Sequence, residues 1–236
     1  MPGSLFISDL HLDASRPAVT RAFADFLQTH RDCDALYILG DLFESWIGDD
    51  DPAPLACDVR TLLHSFGDAG PAVYVMQGNR DFLLGETFCA NTGASLLPDP
   101  TLISLDGVPT LLTHGDSLCT SDTDYQNYRK KVRSPAWQSE LMTLSVEERQ
   151  TLAVQLRRDS QEAKGRKPTD IMDVNADAVS IIMRGHGAQQ MVHGHTHRPG
   201  RFEEPCGVRW VTGDWDHKGW WLEADSGELK LHSFII

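Results

Sequence analysis

The sequence predicts an α/β fold carrying a helical insert, on three observations. Short apolar runs of β character recur along the chain, and helical patterns lie between several of them. One block near the middle has no strand signal at all.

The β-type runs are Leu5 to Ser8, Ala35 to Leu39, Ala72 to Met76, Thr110 to Thr113, Gln190 to Val192 and Val208 to Val211. Most are near-continuous apolar runs, the pattern of strands buried on both faces. Val19, Phe23, Phe26 and Leu27 recur at helical spacing, and so do Val59, Leu62, Leu63 and Phe66. From Val208 onward, turns at Gly213, Gly219 and Gly227 separate short strands, which predicts a second sheet or an edge of antiparallel strands. Residues 120–170 carry few glycines and many long polar side chains, a helical composition. Ser145 and Glu148 form a capping box for a helix expected to reach about Lys164, with Gly165 as its C-cap and Pro168 beyond. The expected division is a core of residues 1–119 and 171–236 with an insertion over 120–170.

The 236 residues suit one large domain, or one domain with a subdomain-sized insert. A net charge of −13 disfavours general nucleic-acid binding. The segment from Arg129 to Lys167 is locally basic, which suggests an anionic ligand or membrane surface, although most of these side chains read as a solvated helix face with paired charges. The five cysteines form no CxxC pair, and their odd number argues for reduced thiols. The N-terminus shows no signal-peptide pattern, and no stretch reaches the roughly 20 apolar residues of a membrane span.

Five small motifs follow the predicted strands: Asp9-Leu-His11, Gly40-Asp41, Gly78-Asn79-Arg80-Asp81, His114-Gly-Asp116 and His193-Gly-His195-Thr-His197. Ligands of open α/β sheets bind outside the carboxyl ends of strands, so the five sets of side chains are expected to converge in one crevice. Asp, His and Asn offer oxygen and nitrogen donors suited to Mn, Zn, Fe or Mg, and no thiolate takes part. The spacing of two in Asp9-x-His11 and His195-x-His197 places both ligands on one face of an extended chain. His193, Asp81 and Asp116 read as residues that orient ligands. The run Asp49 to Asp51 reads as a solvated loop, and His30, His64, His186, His217 and His232 as structural or surface residues.

These motifs resemble the calcineurin-like metallophosphoesterase superfamily, whose pattern is D-x-H, G-D, G-N-(H/R), H and G-H-x-H. The resemblance implies a two-sheet sandwich flanked by helices and a two-metal centre. It gives one metal to Asp9, His11, Asp41 and His197, and the other to Asp41, Asn79, His114 and His195, with Asp41 bridging. Such ions sit about 3.5–4 Å apart and turn a bridging water into a hydroxide nucleophile. Many members have His after the Asn; Arg80 stands there instead, a phosphate clamp but no proton donor.

The stretches SDLHL, GDLFE, GNRDFL, HGD, IMDVN and HGHTHRP extend the likeness to the UDP-2,3-diacylglucosamine diphosphatase family of lipid A synthesis. That resemblance implies hydrolysis of UDP-2,3-diacylglucosamine to UMP and 2,3-diacylglucosamine 1-phosphate, by attack on the α-phosphorus. The alternative is another two-metal nucleotide pyrophosphatase or phosphodiesterase. It further implies two Mn2+ ions, catalytic roles for Asn79, Arg80 and His195, and substrate contacts from these three with Asp122, Ser160, Lys164 and Lys167. An acyl chamber is expected among Trp46, Trp137, Leu141, Leu144, Leu152, Val154 and Leu156, which alternatively pack the insert's own core. Lys130, Lys131 and Arg133 beside apolar side chains suggest peripheral attachment, at the cytoplasmic face of the inner membrane.

Overall fold

A computed structural model describes residues 3–166, 171–226 and 228–236, with the side chains of Lys164 and Arg166 left aside. Along the first half, β1 (Ser4–Ile7), α1 (Pro17–Thr29), β2 (Ala35–Leu39), α2 (Pro54–Asp68), β3 (Ala72–Met76), α3 (Glu86–Thr92) and β4 (Ser95–Leu97) alternate. Then come β5 (Thr101–Leu105) and β6 (Val108–Leu112), followed by the helices α4 (Thr123–Val132), α5 (Pro135–Leu141) and α6 (Val146–Arg166). The chain ends with α7 (Ala176–His186), β7 (Gln190–His193), β8 (Gly200–Glu204), β9 (Gly207–Val211), β10 (Lys218–Asp225) and β11 (Glu228–Ile235).

The strands form two sheets, of order β11-β10-β1-β2-β3-β4 and β5-β6-β7-β9-β8. Strands β1 to β4 are parallel neighbours, as are β6, β7 and β9, while β10, β11, β5 and β8 join antiparallel at the flanks. Side chains alternate across each strand, so one strand feeds two cores. Leu5, Ile7, Leu36 and Ile38 pack with Phe23, Val59 and Phe66 of α1 and α2, while Phe6 and Leu39 meet Leu112 and Val192 between the sheets. Leu111 and Met191 turn the other way, onto Val179 and Met183 of α7. Three cores thus bind four layers in the order helix, sheet, sheet, helix. Burial on both faces explains why the apolar runs of β1, β2 and β7 are continuous.

Several sequence boundaries shift. The strand expected at Thr110–Thr113 occupies Val108–Leu112, and β1 begins one residue earlier than expected. Strands β4, β5 and β8 gave no apolar run, because most of their side chains are half-buried or exposed. The C-terminal strands realise both expected outcomes, since β8 and β9 complete the second sheet and β10 and β11 extend the first. The capping box of α6 forms in full: Ser145 N–H donates to Glu148 Oε2 at 2.8 Å, and Glu148 N–H to Ser145 Oγ at 3.3 Å. Gly165 is not a C-cap, because α6 runs through Arg166; Pro168 lies outside the described residues.

The acidic run after β2 is not a simple solvated loop. Asp49 accepts hydrogen bonds from Gly85 and Phe88 N–H at the start of α3 and from the Trp46 indole. Asp50 pairs with the buried Arg149 of α6, which also donates to the Ile47 carbonyl, so this loop anchors the helical block. Arg129 and Arg133 likewise turn inward, Arg129 to Asp99 and Asp116 and Arg133 to the carbonyls of Gln77 and Gly78. Lys130, Lys131 and Arg158 keep the expected exposure. All five cysteines are free thiols.

Trp215 is the largest fully buried side chain, with its ring 5.3 Å from Phe234, 5.5 Å from Phe26 and 6.3 Å from Phe23. Its indole N–H donates to the Trp220 carbonyl at 2.9 Å. Trp215→Ala should therefore lower the unfolding free energy by about 3–5 kcal/mol, measured by urea denaturation. A loss below about 1 kcal/mol would mean the surrounding rings collapse into the gap.

Candidate active site

The loops after β1, β2, β3, β6 and β7 open at one edge of the two sheets, and there the predicted ligands meet. Asp9 and His11 follow β1, Asp41 follows β2, Asn79 follows β3, His114 follows β6, and His195 and His197 follow β7. Asp9, His11 and His197 bring their ligand atoms together in one group, and Asp9, Asp41 and His114 do so in another. His11 Nε2 and His197 Nε2 face each other at 3.2 Å. Asp41 spans the groups, with Oδ2 at 3.9 Å from His11 Nδ1 and Oδ1 at 3.7 Å from His114 Nε2. Asn79 Oδ1 lies 2.9 Å from His114 Nε2 and 2.8 Å from His195 Nδ1.

The backbone is forced into this arrangement. Asp9, His11, Asp41, His195 and His197 all have positive φ, between 50° and 67°, a region that non-glycine residues rarely adopt. Cross-loop hydrogen bonds hold them there: Asp9 N–H to Gly40 O at 3.1 Å, His11 N–H to Asp41 O at 3.0 Å, and His195 N–H to Asp9 Oδ2 at 2.9 Å. Asp81, expected to orient ligands, accepts from Gly78 N–H and Leu42 N–H, both at 2.7 Å, and so clamps two ligand loops together. Glycine is required where the loops touch. A Cβ on Gly40 (φ +90°) would stand 2.6 Å from His114 Nδ1, and one on Gly194 would overlap Ser8 and Asp9.

The donor set fits a divalent cation. Among the described residues, His11 Nδ1 is buried with no hydrogen-bond partner, and Asp9 Oδ1 has no well-aligned donor although His197 Nε2 is 3.3 Å away. Burial pushes the Asp41 carboxyl up to about 6, only partly offset by His114 and Arg80. Burial, aided by His114, brings His195 down to about 3, which leaves a neutral imidazole able to ligate. Burial also works against charge on His114, yet Asp41, Asp116 and Asp9 raise it to about 9; a cation would replace that proton. His114 Nδ1–H donates to the Leu39 carbonyl at 2.9 Å, which directs Nε2 at the centre.

A cavity of about 570 Å³ opens from this cluster. Asp41, Asn79, Arg80, His195 and His197 line one end. Trp46, Trp137, Leu141, Leu152 and Leu156 line the rest, with Asp122 and Ser160 in the same wall. Two expected chamber residues are absent from the cavity wall: Leu144, in the turn before α6, and Val154, on the outer side of α6, are both exposed. Trp46 serves the wall and the core together, stacked on Phe43 at 4.4 Å. Asp122 is buried as the N-cap of α4, accepting from Tyr125 N–H at 3.0 Å. Lys164 lies on α6, its side chain outside those described, and Lys167 lies outside the described residues.

Asp116 acts through the helical block. Its carboxylate accepts from Tyr125 Oη at 2.6 Å and from Arg129 Nε at 2.9 Å, and Tyr125 stacks on His195 with ring centres 5.9 Å apart. His193 is buried behind the ligand loops and held by Gly194 O and Arg209; burial, reinforced by Arg209, brings it down to about 4. Glu44, Tyr125 and Arg157 had no part in the sequence reading of the site. Their side chains reach it only through pairing across loops and helices, for which the sequence holds no local spacing signal.

Residues 4–199 match the model of the calcineurin-like phosphoesterase family. A UDP-2,3-diacylglucosamine hydrolase of Cellvibrio japonicus is 49% identical over 241 residues, spanning 99% of both chains. A protein of the same name from Pseudomonas aeruginosa is 48% identical over 239 residues, 98% of this chain and 99% of the relative. A solved archaeal phosphodiesterase shares the fold at a TM-score of 0.52 and 10% identity, over 99% of each chain. The chain therefore belongs to the calcineurin-like phosphoesterases, a family that binds divalent metals, and within it to the family of the UDP-2,3-diacylglucosamine hydrolases.

Proposed function

We propose that this chain hydrolyses the pyrophosphate bond of UDP-2,3-diacylglucosamine, releasing UMP and 2,3-diacylglucosamine 1-phosphate for lipid A synthesis. The observation that carries the reading is that the ligand cluster and an apolar helical wall adjoin in one cavity. A nucleotide diphosphate and acyl chains on one molecule need both surfaces. The near-full-length relatives that carry the hydrolase name support the same substrate.

In this reading residues 1–119 and 171–236 form the catalytic core and residues 120–170 a lid over it. Asp9, His11, Asp41 and His197 would hold one Mn2+, and Asp41, Asn79, His114 and His195 the other; when bound, the ions would supply acidified water and charge neutralisation at the phosphoryl group. The side chains do the positioning. Arg80, whose N–H donates to Asp41 Oδ1 at 2.8 Å, presents its guanidinium to the phosphoryl oxygens. Asn79 and His195 face the same oxygens, and Asp122, Ser160, Lys164 and Lys167 bind the glucosamine phosphate. Water attacks the α-phosphorus in line, and the bond to the bridging oxygen breaks. The leaving sugar phosphate needs no proton from Arg80, which cannot give one near neutral pH.

The lipid substrate also brings the chain to the cytoplasmic face of the inner membrane as a peripheral protein. Exposed Lys130 and Lys131 on α4, with Met142, Leu144 and Val154 exposed on the same helical block, support this reading. No helix among the described residues is long and apolar enough to cross a membrane.

Three outcomes test these assignments. Purified protein with added Mn2+ should release UMP from UDP-2,3-diacylglucosamine and stop when chelator is added; hydrolysis of cyclic nucleotides or free UDP-sugars instead would overturn the substrate. Asp41→Ala should lose both metals by elemental analysis and nearly all turnover, whereas Arg80→Ala should keep its metals and lose about 100-fold in kcat. Normal turnover of Arg80→Ala would remove the phosphate clamp. In flotation with anionic liposomes the protein should rise with the vesicles at low salt, and recovery entirely in the soluble fraction would end the membrane reading.

A further inference from the structure

Glu44 lies behind the cavity, on the loop that follows the ligand Asp41. Its two carboxylate oxygens are taken by different arginines: Oε2 pairs with Arg80 Nη1 and also lies 3.7 Å from His11 Nδ1, and Oε1 pairs with Arg157, at 3.0 Å from Nε and 2.8 Å from Nη2. Arg80 belongs to the loop after β3 and Arg157 to the middle of α6, so one carboxylate joins the ligand loops to the helical block. Both arginines line the cavity, whose wall among the described residues does not include Glu44. Exposures of 17% for Arg80, 22% for Arg157 and 25% for Glu44 set this network apart from solvated surface pairs. Its base is rigid too: Glu44 N–H donates to the Leu12 carbonyl at 3.1 Å, and Trp46 N–H to the Arg80 carbonyl at 3.2 Å.

We propose that Glu44 is a positioning residue that aims Arg80 and Arg157 together at the diphosphate of the substrate and ties α6 over the ligand cluster. The inference rests on the proposed pyrophosphate reaction and adds Arg157 to it as a second phosphate-facing cation. Glu44 remains behind the two arginines and touches no reacting atom. Its carboxylate restricts two long side chains that would otherwise sample many rotamers, so substrate meets a preset pair of forks. Without it both positive charges remain and their direction is lost. Attraction for the diphosphate should persist while alignment in the transition state suffers.

The test is Glu44→Gln with Mn2+ and UDP-2,3-diacylglucosamine. The variant should lose about 10- to 100-fold in kcat, with KM changed less than about threefold, and should keep wild-type metal content and melting midpoint. Glu44→Asp, one methylene shorter, should fall between the two and guards against a Gln variant that folds poorly. In an Arg157→Ala background the further loss from Glu44→Gln should shrink, because the two side chains act as a unit. Hydrogen exchange of α6 around Gln155–Arg158 should quicken in Glu44→Gln, a readout independent of turnover. A kcat within twofold of wild type, an equal loss in the Arg157→Ala background, or depleted metal would each overturn the proposal. If the wild-type chain releases no UMP, the substrate assignment fails, while the exchange of α6 still decides the tether.

Discussion

Carboxylates and imidazoles gathered in a dry crevice are costly unless something positive stands among them, and the rest of this structure depends on that constraint. Asp9, Asp41 and His114 are buried almost completely, within reach of one another and of two further histidines. Desolvation opposes the charge on Asp41, and neighbouring carboxylates force a proton onto His114. Divalent metal held among these donors would ease both conflicts, neutralising the carboxylates and replacing the proton. The cluster is thus suited to cations, at a cost in backbone conformation visible in the positive φ of five candidate ligands.

The two-sheet architecture meets that cost. Each strand that leads to a ligand is buried on two faces, so its end is fixed by packing before the loop begins. The loops then brace one another by backbone hydrogen bonds and by Asp81, whose carboxylate replaces a missing sheet ladder between the β2 and β3 ends. The glycines at 40 and 194 are where two loops approach too closely for any side chain. Removing one brace therefore disturbs ligands on a different strand.

Charged and tyrosine side chains tie the helical block to the core at several points. Arg149 holds the loop after β2, Arg129 and Tyr125 hold Asp116, and Arg157 holds Glu44. Trp137, Leu141, Leu152 and Leu156 of the block face the cavity. These partly buried pairs hold the helical block where its inner apolar side chains reach the cavity.

The sequence by itself determined the α/β class, the continuous core strands, the helical character of residues 123–166 and the strand-end motifs whose Asp9, His11, Asp41, His114 and His197 the structure gathers. These are local properties: burial on both faces writes an unbroken apolar run, and ligands at strand ends carry their glycines beside them. Ser145 and Glu148 were equally legible, since a capping box is closed within four residues. Tertiary structure alone decided the partners of the charged residues. Whether Arg133 faces a membrane or the carbonyl of Gly78, whether Asp50 is solvated or paired with Arg149, and which side of α6 meets the cavity all depend on elements far apart in the chain. Helix α6 is amphipathic only weakly, so its register was unreadable until Arg149 and Arg157 were seen to be anchored. Long-range charge pairing leaves no periodic trace in sequence, and in this protein it ties the helical block to the loops of the candidate site.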